Sequence, residues 1–470
     1  MKFYDREEEL KVLENAYSRH ESDMIVVNGR RRIGKSRLVD EFSKSKKSIR
    51  VMIVPKEEKQ IAKDIEEEIR AKTGYSPSFD SFKEAMEYLF VNNTKFIFLD
   101  EFPNVLASSK SIPYELQRLW DMYKEQKEIM LVISGSYASM MEKITTRKRA
   151  PLFNRATATL NIGEMQFDTV VEILNDIGIK DPKEQISYYC VFGGVPYYYI
   201  LLEKIVKSAF ANAVNVPFIA EDLKNLIFAN AINVLFFDAG AQLHEEGENI
   251  LRQEFGNAYA KYYAILEVIH SGHVTMNEIS QNVGITQTTL AKYIKKLQSD
   301  YKLVYREVPF GQNPLRSKKG LYFIKDNMLS FWFSNVYGKS AVPTIEELNK
   351  FVSRRFEMLC RSILVKFLEK RGEQVLRSGK WWGNVEVSPG KFEQREIDVV
   401  VETEKVLYIG ECKWSNSHIN QNVLEHLKES AIALKKAGKE LKFVLFSKNG
   451  VEFENEEGVL LFDSKAIVDV

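Results

Sequence analysis

Eight consecutive residues near the start of the chain match a phosphate-binding pattern at every fixed position. The segment Gly29-Arg30-Arg31-Arg32-Ile33-Gly34-Lys35-Ser36 fits G-x-x-x-x-G-K-[ST], a loop whose backbone N–H groups surround phosphate oxygens. In this pattern the lysine reaches the β and γ phosphates and the hydroxyl binds Mg²⁺. The alternative is a glycine-containing surface turn. We therefore expect the residues from Gly29 to Arg37 to bind a nucleotide, with Lys35 on the phosphates and Ser36 on magnesium.

Two acidic residues, Asp100 and Glu101, directly follow the apolar run from Lys95 to Leu99. Such a run is typical of a buried parallel strand, and ligands bind at the carboxyl ends of these strands. We expect Asp100 to hold the magnesium ion through water and Glu101 to orient and deprotonate the attacking water. Alone, an acidic strand end is an ordinary turn, but its combination with a phosphate loop favours catalysis.

A second set of chemically suggestive residues lies near the end of the chain. Asp398 follows Arg395-Glu396-Ile397, and the next strand carries Glu411-Cys412-Lys413. Because side chains alternate along a strand, Glu411 and Lys413 share one face, and Asp398 can approach them from the adjacent strand. This spacing matches the PD-(D/E)xK nuclease pattern, with Asp398 and Glu411 binding magnesium and Lys413 activating water. Glu357, on a predicted helix, is a further candidate ligand.

The C-terminal pattern has other interpretations. Glu-x-Lys on an exposed hairpin can form a simple charge pair, and a nuclease fold can be retained as a scaffold without activity. The presence of both carboxylates and the lysine keeps metal-dependent cleavage as a hypothesis.

The segments around the phosphate loop and the acidic pair predict a parallel α/β sheet. Met24 to Asn28 reads as a buried strand, the loop follows, and Ser36 opens a helix. Ile129 to Ile133 is a further strand, after which Ser134 or Ser136 can sense the γ phosphate. A basic cluster follows, any member of which can act as an arginine finger or form a solvated face: Arg147, Lys148, Arg149 and Arg155.

Residues 257–340 predict a winged helix-turn-helix. Three helical segments are followed by two strands, and the apolar positions of the helices would form one small core. Exposed polar and basic residues then make a local patch suited to double-stranded DNA, with contacts from Gln287, Thr288, Lys292, Lys295, Arg316 and Lys318. Winged helices also serve as protein contacts and as spacers between domains.

Composition limits the partners and the compartment. The chain of 470 residues has 66 Lys and Arg against 65 Asp and Glu, so nucleic acid must bind to a local patch and not to an overall field. Three widely separated cysteines disfavour a disulfide framework. The charged start is unlike a signal peptide, and no apolar stretch approaches the ~20 residues of a membrane span. We expect a cytoplasmic protein with no membrane partner.

Several motifs in order resemble the archaeal-type ATPases of the AAA-related STAND class. The resemblance includes the phosphate loop, Leu99-Asp100-Glu101, Ser134-Gly135-Ser136 and the N-terminal Phe3-x-x-Arg6-Glu7-x-Glu9-Leu10. It extends to Pro151-Leu152-Phe153-x-Arg155, and implies ATP over GTP, with Phe3 and Arg6 near the adenine. Ser36 stands where that family typically has threonine. A Gly-Gly-x-Pro element at Gly193 to Pro196 is similar to one in the family's helical subdomain behind the nucleotide.

The C-terminal part also resembles the domain of unknown function that commonly follows such ATPase modules. The resemblance rests on Trp381-Trp382-Gly383 and Glu411-Cys412-Lys413-Trp414, and it implies a restriction-endonuclease-like fold. The expected domains are a P-loop NTPase core (1–160), a helical lid (161–256), a winged helix (257–340) and an α/β nuclease-like domain (341–470).

Together these patterns predict an ATP- and Mg²⁺-dependent switch that couples nucleotide hydrolysis to nucleic-acid binding, with metal-dependent DNA cleavage as a further hypothesis. The alternative is a non-catalytic regulator, in which ATP occupancy controls DNA or protein binding and the nuclease-like domain is structural. A third hypothesis is a nucleotide-dependent homo-oligomer, in which Arg155 acts as an arginine finger on a neighbouring copy.

Overall fold

The computed structural model describes residues 1–136, 138–213, 222–434, 439–454 and 456–470. The chain divides into two compact units: residues 1–165 with 195–197, and residues 166–194 with 198–470. The predicted helical lid includes residues 214–221, which lie outside the described residues. In the described part of the chain, no helix is both long and apolar enough to cross a bilayer.

The first unit is an α/β structure that begins with a helix and ends with a strand. Its helices are α1 (Glu7–Ser18), α2 (Lys35–Ser43), α3 (Glu58–Thr73), α4 (Phe82–Val91), α5 (Val105–Ser108), α6 (Ile112–Tyr123) and α7 (Ala138–Met141). Its strands are β1 (Asp23–Asn28), β2 (Ile49–Met52), β3 (Phe96–Asp100), β4 (Met130–Gly135) and β5 (Ala158–Asn161).

The five strands form one parallel sheet in the order β2-β3-β4-β1-β5. Every residue of β3 and β4 is buried. Such continuous apolar strands are stable only when helices cover both faces of the sheet. The predicted parallel α/β sheet is therefore confirmed, and all its carboxyl ends meet at one edge.

The second unit begins with helices. They are α8 (Phe167–Asp176), α9 (Pro182–Phe192), α10 (Pro196–Ala213, whose first two residues belong to the first unit), α11 (Asp222–Phe236) and α12 (Glu246–Phe255). Three further helices and two strands follow: α13 (Tyr259–His270), α14 (Met276–Val283), α15 (Gln287–Ser299), β6 (Val304–Glu307) and β7 (Leu321–Ile324). The strands β6 and β7 pair antiparallel.

Local capping determines where the middle helices begin and end. Thr275 and Glu278 form a capping box at the start of α14, and Gly284 ends that helix in the left-handed conformation. The Thr286 side chain accepts a hydrogen bond from the backbone N–H of Thr289, which starts α15. The turn between α14 and α15 is thus fixed within three residues.

The end of the chain forms a mixed sheet between helices. Its elements are α16 (Asn327–Phe331), α17 (Ile345–Lys370), β8 (Val375–Ser388), β9 (Lys391–Thr403), β10 (Val406–Lys413), α18 (Gln421–Ala431), β11 (Glu440–Ser447), β12 (Val459–Phe462) and α19 (Ser464–Val468). The strand order is β12-β11-β10-β9-β8, antiparallel from β8 to β10 and parallel from β10 to β12. The three cysteines are buried free thiols.

His270, at the end of α13, predicts an acid-sensitive step in the stability of the second unit. Burial, with the charges of Arg354 and Lys339, lowers its pKa from 6.5 to about 4. Its ring stacks on Phe333 with centroids 5.9 Å apart. Between pH 6.5 and pH 4 the unfolded chain binds a proton that the folded chain does not, so stability falls as the pH falls.

We expect His270→Phe to reduce this loss, since phenylalanine keeps the stacking and cannot be protonated. The unfolding free energies of wild type and variant, measured in denaturant at pH 7 and pH 4, should differ more at pH 4, by up to about 3 kcal/mol. An equal difference at both pH values would contradict the assignment.

Candidate functional site

The predicted phosphate loop joins β1 to α2 in a tight backbone turn. A Cβ at Gly29 would lie 2.9 Å from the carbonyl oxygen of Ile162, so only glycine fits there. Gly34 has φ = 96°, a left-handed conformation that side chains disfavour, and Lys35 then begins α2. The loop therefore leads into a helix N-terminus, whose free N–H groups attract anions.

The Lys35 side chain folds back over the start of this loop. Its side chain is only 4% exposed, and its Nζ donates to the carbonyl oxygens of Gly29 (3.0 Å) and Arg30 (3.2 Å) and to Ser136 Oγ (2.6 Å). Glu101 Oε1 lies 3.8 Å from the same ammonium. These partners are acceptors of the kind that phosphate oxygens can replace.

The acidic strand end faces the loop. Asp100 is fully buried and accepts hydrogen bonds from Ser36 Oγ (2.7 Å to Oδ2) and from Ser134 Oγ. Glu101, directly after β3, has φ = 54° and accepts from the backbone N–H and the hydroxyl of Ser136. The structure thus places Ser36 beside Asp100 and Lys35 beside Glu101.

The two serines at the end of β4 connect both halves of this site. Since β4 lies between β1 and β3, the strands that lead into the loop and into the acidic pair are two strand spacings apart, about 9.5 Å, and their end side chains meet across β4. Ser134 bridges to the β3 end through Asp100 and the N–H of Glu101 (3.1 Å), and Ser136 contacts both Lys35 and Glu101. The two serine hydroxyls therefore link the phosphate loop to the acidic pair.

Arg50 is a member of this site that the sequence analysis did not single out. It lies on β2, and its Nη2 is 3.2 Å from Asp100 Oδ2, while Asp40 accepts from its Nη1. The guanidinium also lies 5.5 Å from the centroid of the Phe98 ring. Only the sheet order could have revealed it, because adjacency of β2 and β3 is not readable from motif spacing.

The N-terminal segment is attached next to the loop. Asp5 and Arg6 both have positive φ, and Arg6 Nη2 donates to the carbonyl oxygen of Gly163. Arg37 of α2 donates to the carbonyl oxygen of Met1 (3.3 Å). Phe3 is half-buried in the same segment. The neighbourhood that the family resemblance implies for Phe3 and Arg6 is compatible with these contacts.

The loop arginines also have partners within the first unit. Arg30 pairs with Glu164 at 3.1 Å, and the Arg32 guanidinium lies 4.2 Å from the centroid of the Tyr197 ring. A Cβ at Gly34 would lie 3.9 Å from Pro196. The Gly-Gly-x-Pro element thus places its proline and the following tyrosine against the phosphate loop.

The predicted arginine finger lies in a different environment. Arg155 pairs with Asp121 of α6 through Nε (3.0 Å) and Nη2 (2.7 Å), and its Nη1 donates to the carbonyl oxygen of Phe153. Arg147, from the same basic cluster, lies 3.8 Å from Glu142. Within this chain, Arg155 therefore stabilises α6, and its predicted catalytic role is untested.

The second candidate site lies where β9 and β10 pair. The register joins Val399 to Gly410, which places the preceding Asp398 beside the following Glu411. Asp398 Oδ2 accepts from the backbone N–H of Cys412 (3.1 Å), and Lys413 Nζ donates to Glu411 Oε1 (2.6 Å). The structure therefore brings together the three residues of the nuclease pattern.

Lys380 completes this cluster, and the sequence analysis missed it. Its Nζ lies between three carboxylates, 2.9 Å from Glu357, 3.2 Å from Glu396 and 3.3 Å from Asp398. Between Gly379 and Trp381 the pairing of β8 with β9 shifts by one residue. This bulge explains why alternation along the strands could not have predicted the position of Lys380.

The cluster lines a cavity of about 560 Å³. Burial and the charge of Asp398 raise the pKa of Glu357 to about 7, and the same two causes raise the pKa of Glu411. For Lys380 burial acts in the opposite direction, but Glu357 and Asp398 outweigh it and raise its pKa. Other residues also line the cavity: Ser353, Glu393, Gln394, Arg395, Trp414, Ser415 and His426.

Carboxylates are suitable ligands for a magnesium ion, but the carboxylates of this cluster are already paired with the ammonium groups of Lys380 and Lys413. In the described part of the chain, no group of three or more His, Cys, Asp or Glu is arranged to hold a metal. Glu357, predicted as an additional ligand, is instead paired with Lys380. Asp398 and Glu411 are neighbouring carboxylates, and they accept hydrogen bonds from the Cys412 N–H and from the Lys413 ammonium.

The predicted DNA-contacting residues lie on one helix and one loop of the second unit. All are exposed: Gln287, Thr288, Lys292 and Lys295 on α15, and Arg316 and Lys318 in the loop between β6 and β7. Arg306 shapes this loop by donating to the carbonyl oxygens of Pro314 and Ser317. Leu315, at the tip, is 96% exposed.

Comparisons with known proteins agree with the fold of the first unit. Residues 3–202 match the family model of an ATPase domain found predominantly in Archaea, and residues 322–427 match one of archaeal and bacterial proteins of unknown function. An uncharacterized protein of Methanocaldococcus jannaschii is 28% identical over 437 residues, 88% of each chain. An uncharacterized ATP-binding protein of the same organism is 39% identical over 51 residues, 11% of this chain and 86% of that protein.

A solved structure supports the same conclusion. The Walker-type ATPase of Pyrococcus abyssi superposes with a TM-score of 0.50 at 17% identity, over 70% of this chain and 96% of that one. At this identity the likeness concerns the fold alone. Residues 3–202 thus match the model of an ATPase domain found predominantly in Archaea, and the first unit has the fold of a P-loop ATPase.

Proposed function

We propose that this protein is a magnesium-dependent, ATP-hydrolysing switch of the STAND type that couples its nucleotide state to double-stranded DNA. The observation that carries the proposal is the meeting of Lys35 and Ser36 with Asp100 and Glu101 at one sheet edge. Lys35 would exchange its carbonyl partners for the β and γ phosphates of ATP.

The residues around Ser36 fit a magnesium ion. Ser36 Oγ and Asp100 Oδ2 are 2.7 Å apart and offer the oxygen ligands that Mg²⁺ prefers. When bound, the ion would neutralise charge on the β and γ phosphates. Arg50 Nη2 lies 3.2 Å from the same Oδ2 oxygen of Asp100 and helps to hold the carboxylate in this orientation.

Glu101 is the proposed general base. The Ser136 N–H and hydroxyl hold its carboxylate, which would orient and deprotonate the water that attacks the γ phosphate. A positioned base contributes about 10² to 10⁴ in rate. Phosphate release by the purified protein with Mg²⁺ tests this function, and no release with or without DNA would refute it.

We further propose that residues 257–340 bind duplex DNA as a winged helix. The support is the order of three helices and a β-hairpin, with exposed lysines on α15 and cations beside the exposed Leu315. Phosphates pair with such lysines, and an apolar tip flanked by cations suits a minor groove.

The double variant Lys292→Ala/Lys295→Ala should bind DNA more weakly and with less salt dependence. Loss of two phosphate contacts should make the negative slope of log association constant against log salt concentration shallower by about 1.8. Fluorescence anisotropy with a labelled duplex at several salt concentrations measures it. The control Lys63→Ala/Lys72→Ala removes two exposed lysines of α3, and equal slopes in both double variants would contradict the proposal.

For the C-terminal site we propose metal-dependent cleavage of DNA. Asp398 and Glu411 would hold one magnesium ion, which would lower the pKa of a bound water, and Lys413 would position that water. The competing function is a regulator without nuclease activity, which the ammonium at the centre of the carboxylates favours. Plasmid incubated with Mg²⁺ or Mn²⁺ distinguishes them, since well-folded protein that leaves DNA intact is a regulator.

An oligomer would give Arg155 a second role. Its pairing with exposed Asp121 could open when a neighbouring copy presents a γ phosphate, as an arginine finger requires. Light scattering with and without ATP tests this, and a constant monomer mass would remove the role.

A further inference from the structure

The centre of the C-terminal cavity is already occupied by a positive charge. The Lys380 ammonium has three carboxylate oxygens within 3.3 Å, from Glu357, Glu396 and Asp398. Its side chain is 21% exposed. Carboxylates converging on one point are the usual surroundings of a divalent metal, and here an ammonium stands at that point.

The backbone fixes Lys380 in this position. Its carbonyl oxygen accepts a hydrogen bond from the N–H of Phe310 (2.9 Å). The irregular pairing between Gly379 and Trp381 sets Lys380 against Asp398 and Val399, because β9 carries one more residue than β8 there. Bulges commonly re-aim a side chain at a site, so the ammonium is placed by the fold.

The charges leave room for one divalent ion. Five carboxylates line the cavity, those of Glu357, Glu393, Glu396, Asp398 and Glu411, together with the ammonium groups of Lys380 and Lys413 and the guanidinium of Arg395. When all eight groups are counted as ionised, five negative and three positive charges leave a net charge of −2. Lys413 occupies Glu411 Oε1, and Lys380 occupies Asp398 Oδ1, so a metal must compete with an ammonium at each carboxylate.

We propose that Lys380 is a positioning residue that acts as the resident cation of this site. It excludes a divalent ion from the space between Glu357 and Asp398, so that an ion can bind only between Asp398 and Glu411, in competition with the ammonium groups there. An ammonium and a divalent ion cannot share the same carboxylate oxygens, because their charges repel at such distances. The inference rests on the proposed metal-dependent function of this site.

Titration of the full-length protein with Mn²⁺ alone, without nucleotide, tests the proposal. Lys380→Met should bind Mn²⁺ at least about tenfold more tightly or bind a second ion, because the competing charge is gone. Without metal, its melting temperature should fall below that of the wild type, since the carboxylates repel, and Mn²⁺ should restore it. Calorimetry, electron paramagnetic resonance of free Mn²⁺ and thermal melting supply the readouts.

Matched variants separate charge from structure. Asp398→Asn defines which part of the Mn²⁺ binding belongs to this site. Lys380→Arg keeps the charge and should bind as the wild type does. Lys439 is 17% exposed and lies 2.8 Å from Glu402 in the same sheet, outside the cavity lining; Lys439→Met should leave Mn²⁺ affinity unchanged. Lys380→Gln replaces Lys380→Met if the latter does not fold.

Mn²⁺ affinity in the neutral variants equal to or below that of the wild type would overturn the proposal, as would an equal gain in Lys439→Met. Failure of the nuclease function is a separate result. It is measured as intact DNA with wild-type protein at saturating Mn²⁺, and it leaves the comparison of Mn²⁺ affinities unaffected.

Discussion

Lys35→Ala is expected to lose ATP binding and turnover together. The Lys35 ammonium donates to two loop carbonyls and to Ser136, and its side chain is only 4% exposed. Removing a buried charge-assisted contact to phosphate costs several kcal/mol, which lowers affinity about 10²-fold or more. Equilibrium binding of a fluorescent ATP analogue and phosphate release measure both losses.

Two further variants make this result specific. Glu101→Gln should keep nucleotide affinity and lose about 10² to 10⁴ in turnover, because only the general base is removed. Lys44→Ala changes a lysine just after α2 that pairs with Glu41 and is 67% exposed, and it should behave as wild type. Unchanged nucleotide affinity in Lys35→Ala would remove the basis of the proposed site.

Asp398→Asn is expected to abolish metal-dependent DNA cleavage. Asparagine keeps the shape and can still accept from the Cys412 N–H, but it loses the charge that holds the metal and pairs with Lys380. Loss of a metal that generates the nucleophile should lower the rate by several orders of magnitude, to background. Conversion of supercoiled plasmid to nicked and linear forms in Mn²⁺ measures it.

The control for this variant is a carboxylate of the same part of the chain that does not line the cavity. Glu373 accepts a hydrogen bond from the Tyr408 hydroxyl at 2.9 Å, and Glu373→Gln should cleave as wild type does. Persistent cleavage by Asp398→Asn would show that the activity comes from another site or from a contaminant.

Much of the first unit could be predicted from sequence because its signals are local. The phosphate loop has fixed spacing, and the strands that carry Asp100 and Ser134 are continuous apolar runs with polar ends. The parallel sheet follows from these runs and the helices between them. The sequence could not give the strand order, and hence could not show that Arg50 on the edge strand β2 reaches Asp100.

The C-terminal site was predictable only where alternation holds. Glu411 and Lys413 share a face of β10 as expected, and Asp398 lies on the neighbouring strand. Lys380 could not be predicted, because a register shift between β8 and β9 decides where its side chain points. A one-residue register shift thus adds a positive charge to the site, and the local sequence pattern does not predict this shift.

The pairing of β1 with late strands has a consequence for synthesis on the ribosome. β1 ends at Asn28, yet its two neighbours are β4 and β5, which ends at Asn161. At about 5 to 20 residues per second, roughly 7 to 27 seconds pass before the last partner is made. Until β4 is complete at Gly135, β1 has neither neighbour, and until β5 is complete it has only one, so a chain released early would expose apolar strand edges to aggregation.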